Sequence, residues 1–304
     1  MPTIPEQKPI RVLQLVQALD IGGLEQVVID ILQGFEDSIV SGYLGCLSHP
    51  GKQANNAKAS KTWTGSDKIH SKFLSFEVLR SLIRFLKANK IDIIHSHNPV
   101  PHRYAYFASL FTGIPIVHTK HGRNYPKNKK AVFLNRLYTS RTKRIVAVSK
   151  DAAQVSTKVE KIHPKKVTTA VNGINTARFQ PRPDKAIETR KNKGVSEHSF
   201  VVGSVGRLAK EKDYPLLVES FAKAFPDQEG AQLLLVGDGS DKNRILEKAK
   251  ELGIENRVLL PGMQTETEKW YPCMDVFCLT SITEGTSITL LESAASGVPA
   301  VVAD

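Results

Sequence analysis

Two stretches in the last third of the sequence combine cations, carboxylates and glycines at spacings suited to an anionic ligand. The first, VVGSVGRLAKEKDY, reads as a strand ending at Gly203-Ser204-Val205-Gly206, followed by Arg207 and Lys212. An arginine grips phosphate oxygens with two parallel hydrogen bonds, and a lysine adds a point charge. Together they could neutralise a diphosphate without a metal ion. The plainer alternative is two solvated cations on a loop. The second stretch, EGTSITLLESAASGVPAVVAD, follows the apolar run Val276–Leu279 and opens a helix. Gly285 frees the backbone for close approach to a ligand. The amides of Thr286, Ser287 and Ile288 belong at the helix start, where donors and dipole favour an anion such as a pyrophosphate. Glu284 lies in the preceding loop. Glu292 lies within the helix, where a carboxylate can accept two hydrogen bonds from ribose hydroxyls. The alternative there is an acidic helix start with one exposed glutamate.

The first half offers fewer chemical groups. Gly22-Gly23 follows an apolar run, either as a close approach to a phosphate or as an ordinary strand-to-helix turn. The pair is not G-x-G-x-x-G, so the nicotinamide fingerprint is absent. His121-Gly122 follows a strand end. His95 and His97 close another strand and could line an acceptor, with a core role the alternative for His95. His118 and His121 have no carboxylate or cysteine clustered nearby in sequence, so no metal site is expected.

These residues need a scaffold that brings strand ends together. Strand-like runs alternate with helical spacing along the chain. In the first half the strands read Arg11–Leu19, Ser38–Cys46, Ile91–Ser96, Ile114–Thr119, Arg144–Ser149 and Val167–Val171. After residues 172–199, punctuated by Asn172-Gly173, Pro181 and Pro183, the alternation restarts with Phe200–Val205, Gln232–Val236, Val258–Leu260, Val276–Leu279 and Val298–Ala303. Helices are expected at Pro215–Ala224, Lys242–Leu252, Glu266–Tyr271 and Ser287–Ala295. Gly51–Ser71 reads as a polar loop. The pattern predicts an α/β protein with two doubly wound parallel sheets, residues 1–171 and 200–304, joined by a linker over 172–199. Ligands of such sheets bind beyond the carboxyl ends of the strands.

Composition narrows the class. The chain has 304 residues, 41% hydrophobic and 24% charged, a globular and not a disordered balance. No apolar run is long enough to span a membrane, and Met1–Pro9 lacks the apolar segment of a secretory signal. Three scattered cysteines, Cys46, Cys273 and Cys278, form no disulfide framework and fit buried thiols in a reducing cytoplasm. The net charge is +12, about +15 in residues 1–171 and about −3 in residues 172–304. Its densest stretch, Lys120–Lys166, is either a solvated surface or a face that meets anionic lipid head groups or an acidic acceptor. No aromatic-interleaved basic motif points to nucleic acid.

The ordered series of segments resembles family four of the glycosyltransferases: GGLEQVV (22–28), HSHN (95–98), HTKHG (118–122), VAVS (146–149), VNGINTARFQP (171–181), GSVGRLAKEKDY (203–214), LLLVGDG (233–239) and EGTSITLLESAASGVPAVVAD (284–304). The first half is similar to bacterial enzymes of surface-polysaccharide synthesis. The resemblance implies the GT-B fold, two Rossmann-like domains facing across a cleft, with an acceptor-side first domain and a donor-binding second domain. It implies a retaining, metal-independent transfer from a nucleotide-diphosphate sugar to a glycan or lipid-linked acceptor, with no cofactor; the basic first half adds the expectation of a cytoplasmic protein that can meet the inner face of the cell membrane. Gly22, Gly23, Gly206 and the Gly285–Ile288 segment then match donor-binding positions. His121 and Glu284 match the residues facing the donor sugar, Arg207 and Lys212 the diphosphate grip, and Glu292 the ribose ligand. Family members usually continue past the strand that ends near Asp304, so a second domain with an exposed apolar edge is expected. A nucleotide-sugar-binding protein without activity, or an epimerase or sugar phosphorylase on the same fold, is the alternative.

Overall fold

Buried apolar faces on both sides of two parallel sheets organise the chain, seen here in a computed structural model that describes residues 8–67, 74–122, 129–182, 186–226 and 230–303. The expected linker proline Pro183, Arg123 and Lys127 of the basic stretch, and Asp304 lie outside the described residues. The chain divides into two units, 1–172 and 173–304.

The first unit carries a seven-stranded, all-parallel sheet in the order β3-β2-β1-β4-β5-β6-β7. Its strands are β1 (Ile10–Val16), β2 (Val40–Cys46), β3 (Thr62–Thr64), β4 (Ile93–His97), β5 (Ile116–Lys120), β6 (Thr142–Ala147) and β7 (Val167–Thr169). Its helices are α1 (Gly23–Gln33), α2 (Phe76–Ala88), α3 (Pro99–Thr112), α4 (Lys129–Ser140) and α5 (Lys150–Gln154), the last running into a π-turn at Val155–Val159. Side chains alternate across a strand. Leu13, Leu15 and Ile94 therefore face α2 and α3, while Val16 and Leu44 join Val28 and Leu32 of α1.

Register also sorts the polar residues. Gln14 pairs with His95, and His97 with Thr119, so Gln14, His95, His97 and Thr119 share one face. Ser96 and His118 pair on the other. Strand β3 falls in the segment expected to be a loop. Its three residues are too few to show a period, yet the buried Trp63 anchors it and donates from Nε1 to Ser81 Oγ at 3.1 Å.

The second unit has five parallel strands in the order β10-β9-β8-β11-β12: β8 (Phe200–Val205), β9 (Ala231–Val236), β10 (Val258–Gly262), β11 (Val276–Leu279) and β12 (Ala300–Val302). Helices α7 (Tyr214–Ala224), α8 (Lys242–Glu251) and α9 (Ile288–Ala295) connect them. The expected helix Glu266–Tyr271 is instead two 3-10 turns, Thr267–Lys269 and Tyr271–Cys273, because Pro272 lacks an amide hydrogen and clashes with a continuing helix. Strand order reverses at β8, with β9 on one side and β11 on the other, the position where doubly wound sheets open a ligand crevice. Edge strand β12 leaves Val301 and Val302 exposed.

The segment read as a linker is more ordered than its composition suggests. It holds α6 (Ala186–Lys193), which packs on the second unit. Its pattern is nearly all polar, and one buried cation fastens it. Arg190 donates to the carbonyls of Cys273 (3.1 Å) and Ser199 (3.0 Å) and to Asp275 Oδ2 (2.7 Å). The same carboxylate oxygen accepts from the amide of Val201 at the start of β8. Replacing Arg190 with methionine keeps the stem but strands these acceptors, at a cost of about 2–4 kcal/mol. Differential scanning calorimetry of Arg190→Met should show the second unit's transition lowered by several degrees and the first unit's unchanged; an unaltered thermogram contradicts this role.

Candidate functional site

In the second unit the predicted residues gather where the parallel strands end. Beyond β8 and β9 the two loops continue to bond. Gly206 N donates to Val236 O at 3.0 Å, Leu208 N to Asp238 O at 3.0 Å, and Asp241 N to Leu208 O at 2.9 Å. The approach is close enough that a Cβ on Gly237, whose φ is +153°, would stand 1.9 Å from the Gly206 carbonyl oxygen. A Cβ on Gly206 would in turn meet the Tyr214 hydroxyl at 3.0 Å.

On the other side of β8, the loop after β11 is tied to the loop holding Lys212. The Thr280 hydroxyl donates to the carbonyls of Lys212 (3.0 Å) and Asp213 (3.1 Å), and Ile282 N donates to Glu211 O at 2.9 Å. Asp213 takes a left-handed conformation, φ 46°, ψ 49°, which turns the chain into α7. Such backbone costs about 1–2 kcal/mol in a non-glycine residue and is held here by its neighbours.

This tie brings Lys212 and Glu284 into an ion pair, with Ser281 Oγ donating to the same Glu284 oxygen at 2.9 Å. Their side chains are 20% and 27% exposed, so the pair is sheltered but reachable. Arg207 is 70% exposed and pairs with Glu211 one helical turn on, at 2.5 Å. A hydrogen bond from its own backbone, and then Arg207, hold the Glu211 carboxyl below its usual range. Both cations are thus already matched by carboxylates.

Gly285 follows Glu284 directly and leads into α9. Ser287 caps that helix by accepting from Leu290 N at 3.4 Å, and Ile288 is its first residue. The amides of Ile288 and Thr289 have no carbonyl one turn earlier within the helix. Glu292, on the second turn, is buried, with Oε2 accepting from the Tyr271 hydroxyl at 2.6 Å. Burial and the Glu292 carboxylate push the Tyr271 phenol well above its ordinary value, so it stays a donor. Tyr271, Thr280 and Gly237 escaped the sequence reading. Only the Gly237-Asp238-Gly239 turn, inside a segment quoted for its resemblance, gave a signal.

In the first unit Gly22 is the N-cap of α1, in extended backbone. Glu25, in the first turn, folds back so that a Cβ on Gly22 would lie 2.3 Å from its Oε2. Close approach is real at this glycine, and the group approaching is a carboxylate. A cavity of about 240 Å³ opens beside it, lined by Gln17, Asp20, Glu25, His49, His97 and Asn98 among others, with no lysine or arginine among the described residues of its wall.

His97 of this wall belongs to a group of five histidines on β4, β5, α3 and the residue after β5. His97 Nε2 meets Gln14 Oε1 at 2.7 Å and its Nδ1 meets His121 Nε2 at 2.8 Å. His95 Nε2 meets Thr119 Oγ1 at 2.7 Å. On the opposite face His102 stacks on His118 with ring centroids 3.8 Å apart and meets Thr142 Oγ1 at 2.8 Å. Desolvation lowers every one: His95 and His121 to about 4, His102 to about 3, His97 and His118 well below their ordinary value. All are neutral at pH 7. Among the described residues no group of three or more histidine, cysteine, aspartate or glutamate side chains is placed to hold a metal ion.

Comparison with known proteins supplies the family context. The profile described as Glycosyltransferase Family 4 matches residues 21–178, and the profile described as Glycosyl transferases group 1 matches residues 185–304. The UDP-Gal:alpha-D-GlcNAc-diphosphoundecaprenol alpha-1,3-galactosyltransferase of Escherichia coli is 28% identical over 237 residues, 74% of this chain and 61% of its own length. The N-acetyl-alpha-D-glucosaminyl L-malate synthase of Bacillus anthracis is 32% identical over 218 residues, 69% of this chain and 56% of its own. The chain therefore spans about three fifths of the length of these curated relatives. The crystal structure of Anabaena HepE in complex with UDP and glucose matches with a TM-score of 0.83 at 19% identity, covering 96% of this chain and 80% of its own. That likeness establishes the GT-B type of α/β architecture.

The neutral histidines predict a pH dependence. Their folded pKa values lie below the unfolded value of 6.5, so between those limits the unfolded chain binds more protons. Stability of the first unit is full above pH 6.5 and falls as the pH drops toward 4. Thermal unfolding across that window should show the first unit's transition falling steadily; a flat profile contradicts five desolvated neutral rings.

Proposed function

This chain belongs to glycosyltransferase family 4, and on that premise we propose that it moves a sugar from a nucleoside-diphosphate sugar to a hydroxyl of a glycan or lipid-linked acceptor, retaining the anomeric configuration and using no metal ion. The Lys212–Glu284 pair at the switch point of the second sheet carries this reading. Breaking the glycosidic bond leaves negative charge on a diphosphate, and preorganised cations and amides at that place lower the barrier most. Lys212, Arg207 and the start of α9 take that role. Donor binding then replaces Glu284 on Lys212 with a phosphate, which frees the Glu284 carboxylate to accept hydrogen bonds from the sugar. Glu292, held by Tyr271, accepts from the ribose. His121 meets the donor sugar, and Gly22, Gly23 and Gly206 allow close backbone approach. The names of the relatives above favour uridine diphosphate sugars as the first donors to test.

The acceptor side draws on the charge of the first unit. Helix α4 has no acidic residue and exposes Lys129, Lys130, Phe133, Arg136 and Leu137. Cations interleaved with apolar side chains suit an anionic lipid surface carrying a lipid-linked acceptor. No helix among the described residues is long and apolar enough to cross a membrane.

Two measurements test this. In a transfer assay with chelator present, Lys212→Ala, Arg207→Ala and Glu284→Gln should each cost on the order of 10²-fold in kcat with the fold intact. The product anomer, read by proton NMR, should match that of the donor; an inverted product, an epimerised donor, or near wild-type turnover in all three variants rejects the mechanism. In vesicle sedimentation the protein should bind anionic but not zwitterionic lipid, and Phe133→Ser with Arg136→Glu should abolish binding. Equal binding to both lipids removes the membrane role.

A further inference from the structure

The chain of hydrogen bonds through Gln14, His97 and His121 has a direction, and the direction decides what His121 can do. Gln14 stands in the apolar run of β1, and register sets it on the same face as His97. Its Oε1 can only accept, so the facing Nε2 of His97 carries the hydrogen. A neutral imidazole has one N–H, so Nδ1 of His97 accepts, and Nε2 of His121 must be the donor across the 2.8 Å contact. That leaves His121 Nδ1 with a lone pair. The two ends of the chain are both unsatisfied. Gln14 Nε2 and His121 Nδ1 are buried side-chain atoms without a hydrogen-bond partner among the described residues. An orphaned buried polar atom at the end of an ordered network points to a missing ligand group.

We propose that Gln14 and His97 are positioning residues that hold His121 as its Nε2–H tautomer, so that Nδ1 accepts a hydrogen bond from a hydroxyl of the donor sugar. The proposal rests on the reading that His121 meets that sugar. It explains why a glutamine is buried in an apolar strand, where an unpaired amide costs about 1–3 kcal/mol. It also explains why two imidazoles are packed with their rings 5.1 Å apart. Desolvation keeps both rings neutral, which the one-way chain requires. The bond at the far end is selective. An acceptor nitrogen engages a hydroxyl but offers nothing to a phosphate oxygen, so His121 reads the sugar and not the diphosphate. Inverting the Gln14 amide would reverse every bond and present an N–H at the same place.

The test is nitrogen-15 NMR of the full chain labelled at histidine, at pH 7.5, with ring signals assigned through His121→Gln and His97→Gln. Both rings should show the Nε2–H tautomer. The Nδ1 signal of His121 should shift when a uridine diphosphate sugar is added and stay in place with uridine diphosphate alone. In Gln14→Met, the two rings should become tautomer mixtures, with kcat down by about tenfold and KM within about threefold. An Nδ1–H tautomer or an imidazolium at His121 overturns the proposal, as does a wild-type tautomer pattern in Gln14→Met. A sugar that binds without moving Nδ1 overturns the hydroxyl contact. The expected spectra in a protein that transfers no sugar contradict instead the function proposed above, so the two failures are distinguishable.

Discussion

Two loops of the second unit are laced together by one threonine hydroxyl and one amide. Thr280 donates to the carbonyls of Lys212 and Asp213, and Ile282 donates to that of Glu211. Without those bonds the loop after β8 and the loop after β11 are separate surface excursions. With them, a lysine and a glutamate 72 residues apart in sequence become partners, just ahead of the start of α9. The sheet supplies the other half of the constraint. Because strand order reverses at β8, its neighbours β9 and β11 depart in opposite directions and leave their carboxyl ends accessible. The close Gly206–Gly237 contact fixes the third loop at the same edge.

The two units solve the electrostatic problem differently. The second has almost no net charge to spare, and Arg207 and Lys212 each rest on a carboxylate. That arrangement avoids an unpaired charge in a sheltered place. The first unit is strongly basic by sequence, yet its interior polar cluster is uncharged. Lys120, whose charge acts on His102 and His118, is buried against Glu160, which also accepts from Asn135 at 2.8 Å. Exposed positive charge on the first unit includes Lys129, Lys130 and Arg136 of α4, beside Phe133.

Much of this was legible in the residues. Apolar runs of three to nine residues alternating with helical spacing gave the parallel strands, and the limits of β8 and β11 agree with the reading. Residue types at strand ends singled out Arg207 and Lys212 as cations for one diphosphate and Glu284 as a carboxylate for the sugar, and the structure places Lys212 beside Glu284. The pairing of Lys212 with Glu284 was not legible, because it depends on Thr280, an ordinary strand-end residue whose hydroxyl acts only once the loops have met. Strand β3 escaped because three residues show no period, and α6 because its polar sequence is anchored by a single buried arginine. The alternation His-Ser-His in β4 did announce that His95 and His97 share a face. Gln14, polar in an apolar strand, was the unread signal for what they face.

The central claim is that the loops beyond β8 and β11 form a seat for a diphosphate. Calorimetric titration with uridine diphosphate and with uridine tests it without depending on acceptor or turnover. The account predicts that the diphosphate binds at least about tenfold more tightly than the nucleoside, a margin of about 1.4 kcal/mol or more. It predicts that Lys212→Met combined with Arg207→Met removes most of that margin while uridine binding persists. An undiminished margin in the double variant would contradict it.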